Sequence, residues 1–245
     1  MRAVVAAHPD DEALWMSAAL AEAGRVVFCF CGQFGGAGKT SAARRRAVAA
    51  LPLPVVDLAL QESGTRKLVD WRHTYFTSYG LKIADTAGEA RYEANFTALV
   101  AGLRPVLAGC TEVYTHNPWG EYGHPEHVQV YRAVAALQAE LGYTIWFSNY
   151  VSRLSWRLAR LAGAPPCWAA RVEARPDAAL ARRLRRVYRR HGVWTWQLGY
   201  RWPKREVYYA QPAAAGDWRT MTGERLLDVA RLRIWRLRSA EVVLV

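Results

Sequence analysis

The sequence predicts an α/β fold, a mostly parallel sheet flanked by helices, with a basic and aromatic-rich C-terminal elaboration. Three observations predict it. Short β-branched segments alternate with Ala- and Leu-rich segments of helical spacing as far as about residue 150, the order of successive βαβ units. Residues able to do chemistry gather directly after two of the strand candidates, where open α/β sheets place their ligands. Beyond Tyr150 the pattern gives way to arginine-rich amphipathic segments and closely spaced tryptophans. Residues 1–150 therefore read as a Rossmann-like core, and residues 151–245 as an elaboration of the same single domain. No repeat, low-complexity tract or clean linker separates the two.

Arg2-Ala3-Val4-Val5-Ala6 is short and β-branched enough for a buried first strand. It delivers Ala7-His8-Pro9-Asp10-Asp11-Glu12, and Ala13 to Ala23, closed by Gly24, reads as a helix with a glycine stop. A histidine and three carboxylates in five residues are costly unless something positive binds there. A divalent metal fits. The alternative is a solvated turn with an acidic helix start.

Arg25 to Cys31 reads as a second buried strand, running into a glycine loop and a helix from about Ser41 to Leu51. Gly38-Lys39-Thr40 invites a phosphate-loop reading. That motif needs a glycine five residues before Gly38, where Gln33 stands, and Gly32 lies one residue too far for a loop of fixed length. The loop Gly35 to Lys39 reads better as a flexible element at a pocket mouth. Pro54 to Leu60 is a third strand, and residues 61–86 form an irregular polar-aromatic stretch suited to a substrate wall. Its lone His73 reads as solvated. Asp85 to Leu103 has helical spacing.

Glu112 to Thr115 is the strand that delivers the second chemical stretch, Glu121-Tyr122-Gly123-His124-Pro125-Glu126-His127. Pro125 suits a first helical position and Gly142 a stop, which predicts a helix to about Leu141. His124 and His127 are three apart, so one turn brings them to the same side. If the two strands are neighbours, a histidine and carboxylate from one and a histidine from the other close on one metal. Three nitrogen and oxygen ligands with an open position describe catalytic zinc. His116 lies in the loop before this stretch and reads as a support for the ligands. Tyr143 to Phe147 makes a further strand.

His8-Pro9-Asp10-Asp11-Glu12 at a strand end, answered by His124-Pro125-Glu126-His127, resembles the signature of the PIG-L/LmbE-like zinc-dependent de-N-acetylase family. The resemblance covers roughly the first 150 residues in element order, and its specificity lies in these two motifs. It implies that His8, Asp11 and His127 bind Zn2+, that Asp10 is the general base, and that His124 helps stabilise a tetrahedral oxyanion. Tyr122 matches a tyrosine that some members use at the substrate mouth. The implied reaction is removal of an N-acetyl group from an amino sugar or its glycoconjugate by a metal-activated water. Two departures stand out. Glu126 replaces the commoner Asp, and the Arg-x-x-Glu pattern of the second helix is absent, because Arg44 is followed by Ala47. Two other readings remain: a metal-free Rossmann-like module that binds an anionic polymer or nucleotide, and a zinc amidase for a different N-acyl substrate.

The net charge of +12 is unevenly placed: residues 1–150 hold 13 basic and 14 acidic residues, residues 151–245 hold 20 and 7. Arg153, Arg157 and Arg160 share a helical face, and Ala178 to Arg190 sets Leu180, Leu184 and Val187 against six arginines. These read as core-packed helices with solvated basic faces, with weak contact to an anionic membrane surface as the functional alternative. Nucleic acid is not the expected partner. The small-molecule reading is an N-acetylated sugar, free or lipid-linked. Trp194, Trp196, Leu198, Tyr200 and Trp202 alternate with other residues, which predicts a strand with an aromatic face. Cys29, Cys31, Cys110 and Cys167 have no zinc-knuckle spacing and read as reduced thiols. No hydrophobic run is long enough to span a bilayer, and the N-terminus lacks the order of a signal peptide. The expectation is a cytoplasmic protein with peripheral contact at the inner membrane face.

Overall fold

The structure, a computed structural model, describes residues 1–35, 38–162, 170–197, 199–213, 225–229 and 241–243. In chain order the elements are β1 (Arg2–Ala6), α1 (Asp11–Trp15), a 3₁₀ helix (Ser17–Glu22), β2 (Arg25–Phe28), α2 (Lys39–Ala49) and β3 (Val55–Asp57). A small hairpin, β4 (Phe76–Thr77) and β5 (Gly80–Leu81), precedes α3 (Thr86–Leu107), β6 (Glu112–Thr115), α4 (Pro125–Leu141), β7 (Thr144–Ser148) and β8 (Tyr150–Val151). The C-terminal part holds α5 (Trp156–Ala162), β9 (Ala170–Ala174), α6 (Ala178–Arg190), β10 (Glu206–Gln211), β11 (Arg225–Asp228) and β12 (Glu241–Val243).

Seven strands form the main sheet in the order β3-β2-β1-β6-β7-β10-β9. The first five strands of that order, β3, β2, β1, β6 and β7, are parallel, and β10 runs antiparallel to both of its neighbours. The α/β expectation holds. Successive residues of β1 point to opposite faces, so Val5 joins one core with α3 and α4, and Val4 joins the other with α1, α2 and α6. A strand with apolar side chains on both faces must be covered on both, which parallel sheets achieve with crossover helices. Each fully buried Val or Leu in these layers contributes about 1.5–3 kcal/mol of transfer free energy.

The arrangement positions the two motifs. β1 and β6 are adjacent, with Val5 opposite Thr115, and the chain leaves them in opposite directions across the sheet. That is the topological switch point, where a crevice opens beyond the strand ends. Both chemical stretches lie there.

Three expectations need correction. The helix expected over Ala13 to Ala23 is α-helical only to Trp15. The Ala13 and Leu14 carbonyls accept the Trp202 Nε1–H and the Tyr200 hydroxyl, and the Ala18 N–H goes to Glu206 instead of Leu14. With its continuing bonds diverted, the turn tightens to 3₁₀. Cys29 and Cys31 lie past the end of β2, buried on opposite sides of the sheet; Cys167 is outside the described residues.

The aromatic stretch around Trp194 to Trp202 is a loop, not a strand, with Leu198 outside the described residues. Its backbone donors find other partners: Val193 N–H bonds the Tyr188 carbonyl and Tyr200 N–H that of Gln197. Its rings wrap α1, with Trp196 edge-on to Trp15 at 5.0 Å. Alternation here comes from that wrapping. Conversely β10, a strand the sequence pattern did not announce, is buried along five of its six residues, so it lacks the alternation of a half-exposed strand. No helix among the described residues is long and apolar enough to cross a membrane.

Candidate metal centre and active site

β1 ends in a turn that folds His8 and Asp11 onto each other. The His8 N–H donates to Asp11 Oδ2 at 2.8 Å, and His8 Nδ1 lies 3.1 Å from the same oxygen. From the other side α4 brings His127 Nε2 to 3.1 Å from Asp11 Oδ2. Pro125 opens that helix as expected, and the turn before it needs Gly120, since a Cβ there would lie 2.6 Å from the His124 carbonyl oxygen. His8, Asp11 and His127 are all buried.

Behind each histidine stands a carboxylate. His8 Nε2 meets Glu126 Oε2 at 3.0 Å, and His127 Nδ1 meets Glu121 Oε2 at 2.7 Å. Metal-ligating histidines are oriented in this way, the far nitrogen donating so that the near one keeps its lone pair for the metal. Glu126 is held in turn by the Ser63 N–H and hydroxyl, at 2.6 and 2.9 Å. The Asp-to-Glu departure thus leaves a carboxylate in contact with His8.

The donor set passes a test of fit. His127 Nε2 is buried with no hydrogen-bond partner among the described residues, its contact with Asp11 Oδ2 not being aligned for one. A buried polar atom without a partner calls for an explanation, and a cation held by His8, Asp11 and His127 would supply it. Two nitrogens and one carboxylate oxygen suit zinc. His8, His124 and His127 offer ligand atoms within 4.8 Å of one another, as do Asp11, His116 and His127. His116 has no nitrogen to spare. Its Nε2 accepts the Ala7 N–H at 2.8 Å while Nδ1 faces Glu121 at 3.1 Å. It shares Glu121 with His127 and supports that carboxylate.

Charge is finely divided here. Burial opposes ionisation of Asp11, but the rings of His127 and His8 outweigh it and hold the carboxyl well below its usual range. Asp10, one residue away, is pushed up to about 7 by burial and the Asp11 charge, against two hydrogen bonds from Thr195. His124 is held well below the usual histidine range by burial and by its neighbours His127 and His8, so its ring is neutral. Burial raises Glu12 to about 8; it accepts the Tyr188 hydroxyl at 2.7 Å and the Asp10 N–H at 3.1 Å.

Asp10 itself sits at φ 106°, left-handed backbone that costs a non-glycine residue about 1–3 kcal/mol. Asp10, His8, Asp11, Tyr122, His124 and Arg66 line a pocket of about 360 Å³. The Tyr122 ring lies 5.8 Å from that of His124 and 5.0 Å from that of Trp196. With His127 against Asp11 behind the pocket, all six expected residues lie together. His73 stands apart, exposed and paired with Asp70 at 2.7 Å. The glycine loop flanks the pocket at Gln33 and Thr40, with Gly36 and Ala37 outside the described residues.

Three contributors were not foreseen. Arg44 lacks its helical glutamate but pairs with Glu62 at 2.6 Å, and Glu62 lies 3.4 Å from His8 Nε2. The missing Arg-x-x-Glu partner was the signal that a carboxylate had to come from elsewhere. Arg66 lies over the Tyr122 ring, 5.7 Å from its centroid. Thr195 caps Asp10 from the far end of the chain, and no local pattern announces it.

Comparison with known proteins bears on the family and the fold. The chain is 27% identical over 192 residues to the 1D-myo-inositol 2-acetamido-2-deoxy-alpha-D-glucopyranoside deacetylase of Mycolicibacterium smegmatis, an alignment covering 67% of this chain and 64% of that enzyme. In fold it is similar to a zinc-inhibited form of teicoplanin deacetylase, with TM-score 0.56 and 16% identity over 86% of this chain and 97% of the other. A deacetylase–teicoplanin complex matches with TM-score 0.54 and 14% identity, over 88% of this chain and 100% of the other. Residues 3–138, which span both motifs, match the family described as PIG-L: GlcNAc-PI de-N-acetylase, and the chain belongs to that family.

Proposed function

We propose that the protein is a zinc-dependent hydrolase that removes the N-acetyl group from an N-acetylated amino sugar or its glycoconjugate. The observation that carries this reading is the unpartnered, buried His127 Nε2 beside Asp11 Oδ2 and His8 Nδ1, with a carboxylate behind each ring. His8, Asp11 and His127 would hold the ion. Zinc, when bound, supplies Lewis acidity, lowering the pKa of water and polarising an acyl oxygen.

The chain's own residues do the rest. Asp10 adjoins a ligand without being one, so its carboxylate is free to take the proton of the attacking water. The water oxygen bonds the acetyl carbon, the carbon–nitrogen bond breaks, and Asp10 returns the proton to the leaving amine, giving acetate and free amino sugar. Neutral His124 donates its N–H toward the developing oxyanion. Glu121 and Glu126 keep the ligand rings in one orientation by accepting from their far nitrogens. Tyr122 and Arg66 offer an aromatic face and a cation to the sugar at the pocket wall. Residues 1–150 and 151–245 act as one catalytic unit in this reading, because α6 and the loop after it reach back to Glu12 and Asp10.

The finer reading is a sugar carried on an anionic lipid or diphosphate, met at the cytoplasmic membrane face. Its support is the exposed arginine face of α6, where Arg182, Arg183, Arg186, Arg189 and Arg190 make no ion pair among the described residues. The experiment that tests the function is mass spectrometry of N-acetylated sugars, free and diphosphate- or lipid-linked, incubated with zinc-loaded protein. Loss of one acetyl group is expected. A metal-free binding module would purify without zinc and leave every sugar intact.

A further inference from the structure

The pocket has a wall from outside the family-matched residues: Gly192 to Thr195, the loop that follows α6. Within it Thr195 makes two hydrogen bonds to a single oxygen. Its N–H lies 2.7 Å and its hydroxyl 2.8 Å from Asp10 Oδ2. Oδ1 of the same carboxylate accepts no hydrogen bond among the described residues. The clamp is rigidly founded. Val193 N–H bonds the Tyr188 carbonyl at 2.9 Å at the end of α6, and the next ring, Trp196, stacks edge-on against Trp15 of α1 at 5.0 Å. Asp10 is fixed at its backbone too, at φ 106° with its N–H on Glu12.

We propose that Thr195 is a positioning residue for the general base. By engaging Oδ2 from two donors it stops rotation of the carboxylate and leaves Oδ1 as the one oxygen presented to the water and then to the leaving amine. The inference rests on the reading of Asp10 as the base. A carboxylate free to turn would present either oxygen, at a spread of distances, to a proton that passes between heavy atoms about 3 Å apart. Holding a reacting group within a fraction of an ångström is the work of such supporting contacts.

The test compares Thr195→Val, which removes the hydroxyl at nearly constant shape, with Thr195→Ser, which restores it. Each is made in the wild-type and Asp10→Asn backgrounds and loaded with zinc. Turnover of N-acetylglucosamine is followed by amine release, and crystal structures of wild type and Thr195→Val record the Asp10 carboxylate. Thr195→Val is expected to lower kcat about tenfold with KM and zinc content unchanged, and Thr195→Ser to recover most of that loss. In the Asp10→Asn background Thr195→Val should add no further loss, because both act through one group. In the crystals the Asp10 carboxylate should turn or spread over several orientations. An Asp10 carboxylate unmoved in Thr195→Val, or a kcat loss that Thr195→Ser does not recover, overturns the inference. Full activity of Asp10→Asn overturns instead the assignment of the base, so the two failures are distinguishable.

Discussion

Replacing Glu121 with glutamine probes the centre without touching a proposed ligand. The carboxylate is fully buried and has three partners: His127 Nδ1 at 2.7 Å and His116 Nδ1 at 3.1 Å on Oε2, and the Asn117 N–H at 2.8 Å on Oε1. All three are donors, so both oxygens must accept. Glutamine has one accepting oxygen and one donating nitrogen. Whichever way the amide turns, its NH₂ faces a buried donor. If the oxygen stays with the histidines, the Asn117 N–H loses its acceptor, a penalty of about 1–3 kcal/mol. The remaining bond to His127 is also weaker, since a neutral acceptor replaces a charged one. Losing such support behind a ligating histidine lowers metal affinity by about 10–100-fold. For a chain of this length, a loss of about 2 kcal/mol lowers Tm by roughly 4–8 °C. Zinc affinity is measured by competition with a chromophoric chelator, and Tm by calorimetry on the metal-free protein. Glu22→Gln, at an exposed glutamate paired among the described residues with Arg2 alone, is the control and should change neither. If Glu121→Gln bound zinc as tightly as wild type, the carboxylate would have no part in orienting His127, and the reasoning would fail.

The other predictions use the same preparations. His8→Ala, Asp11→Ala and His127→Ala should each lose metal and activity together, read by elemental analysis and amine release; full zinc occupancy in all three would sink the ligand assignment. Asp10→Asn should keep its zinc and lose roughly two or more orders of magnitude in turnover, and normal turnover would require another base. His124→Ala should also keep its zinc while kcat falls with KM little changed, so a loss confined to KM would remove its oxyanion role. Arg182, Arg186 and Arg189 changed together to Gln should abolish low-salt co-sedimentation with anionic liposomes, at about 1 kcal/mol per arginine. Equal recovery of wild type and variant in the supernatant would leave these arginines as a solvated face.

The legible parts of the sequence were those governed by local rules. α4 runs from Pro125 to Leu141 with Gly142 at φ 77° as its stop, and α6 spans Ala178–Arg190, both as the spacing predicts. Proline's missing N–H and glycine's left-handed backbone act within a few residues, so a linear reading finds them. The convergence of His8 and Asp11 with His127 needed one non-local fact, that β1 and β6 are neighbours, and the motif pair supplied it. What stayed hidden is what arrives from far along the chain. The break after Trp15 is set by Tyr200, Trp202 and Glu206, nearly two hundred residues away in sequence. Nothing in Ala13 to Ala23 announces it, since every residue there tolerates a helix. Thr195 was invisible for the same reason.

These long-range contacts also change the meaning of the basic half. Among the described residues, two groups of its arginines have different neighbours. Arg185 lies over the Trp202 ring, 5.1 Å from its centroid, and donates to the Tyr200 carbonyl; Arg157 donates to the Thr74 carbonyl; Arg205 pairs with Glu173 at 3.2 Å. Arg185 thus braces the loop that wraps α1, Arg157 ties α5 to the stretch after β3, and Arg205 ties the start of β10 to β9. The outward arginines of α6 hold nothing among the described residues, although the opposite face of the same helix carries Ala181, Leu184 and Tyr188 into the core. Tyr188 there bonds Glu12 and so steadies the turn that aims Asp10. A helix pinned by its inner face needs no charge on its outer face for folding, and five like charges on thirteen residues repel one another. The repulsion is tolerable because the apolar face is buried. An anion on the outer face would relieve it, and α6 is the element that already leads, through Gly192 and Val193, to the pocket wall. In the proposed reading, charge for recognition and geometry for catalysis would be carried on opposite faces of one helix.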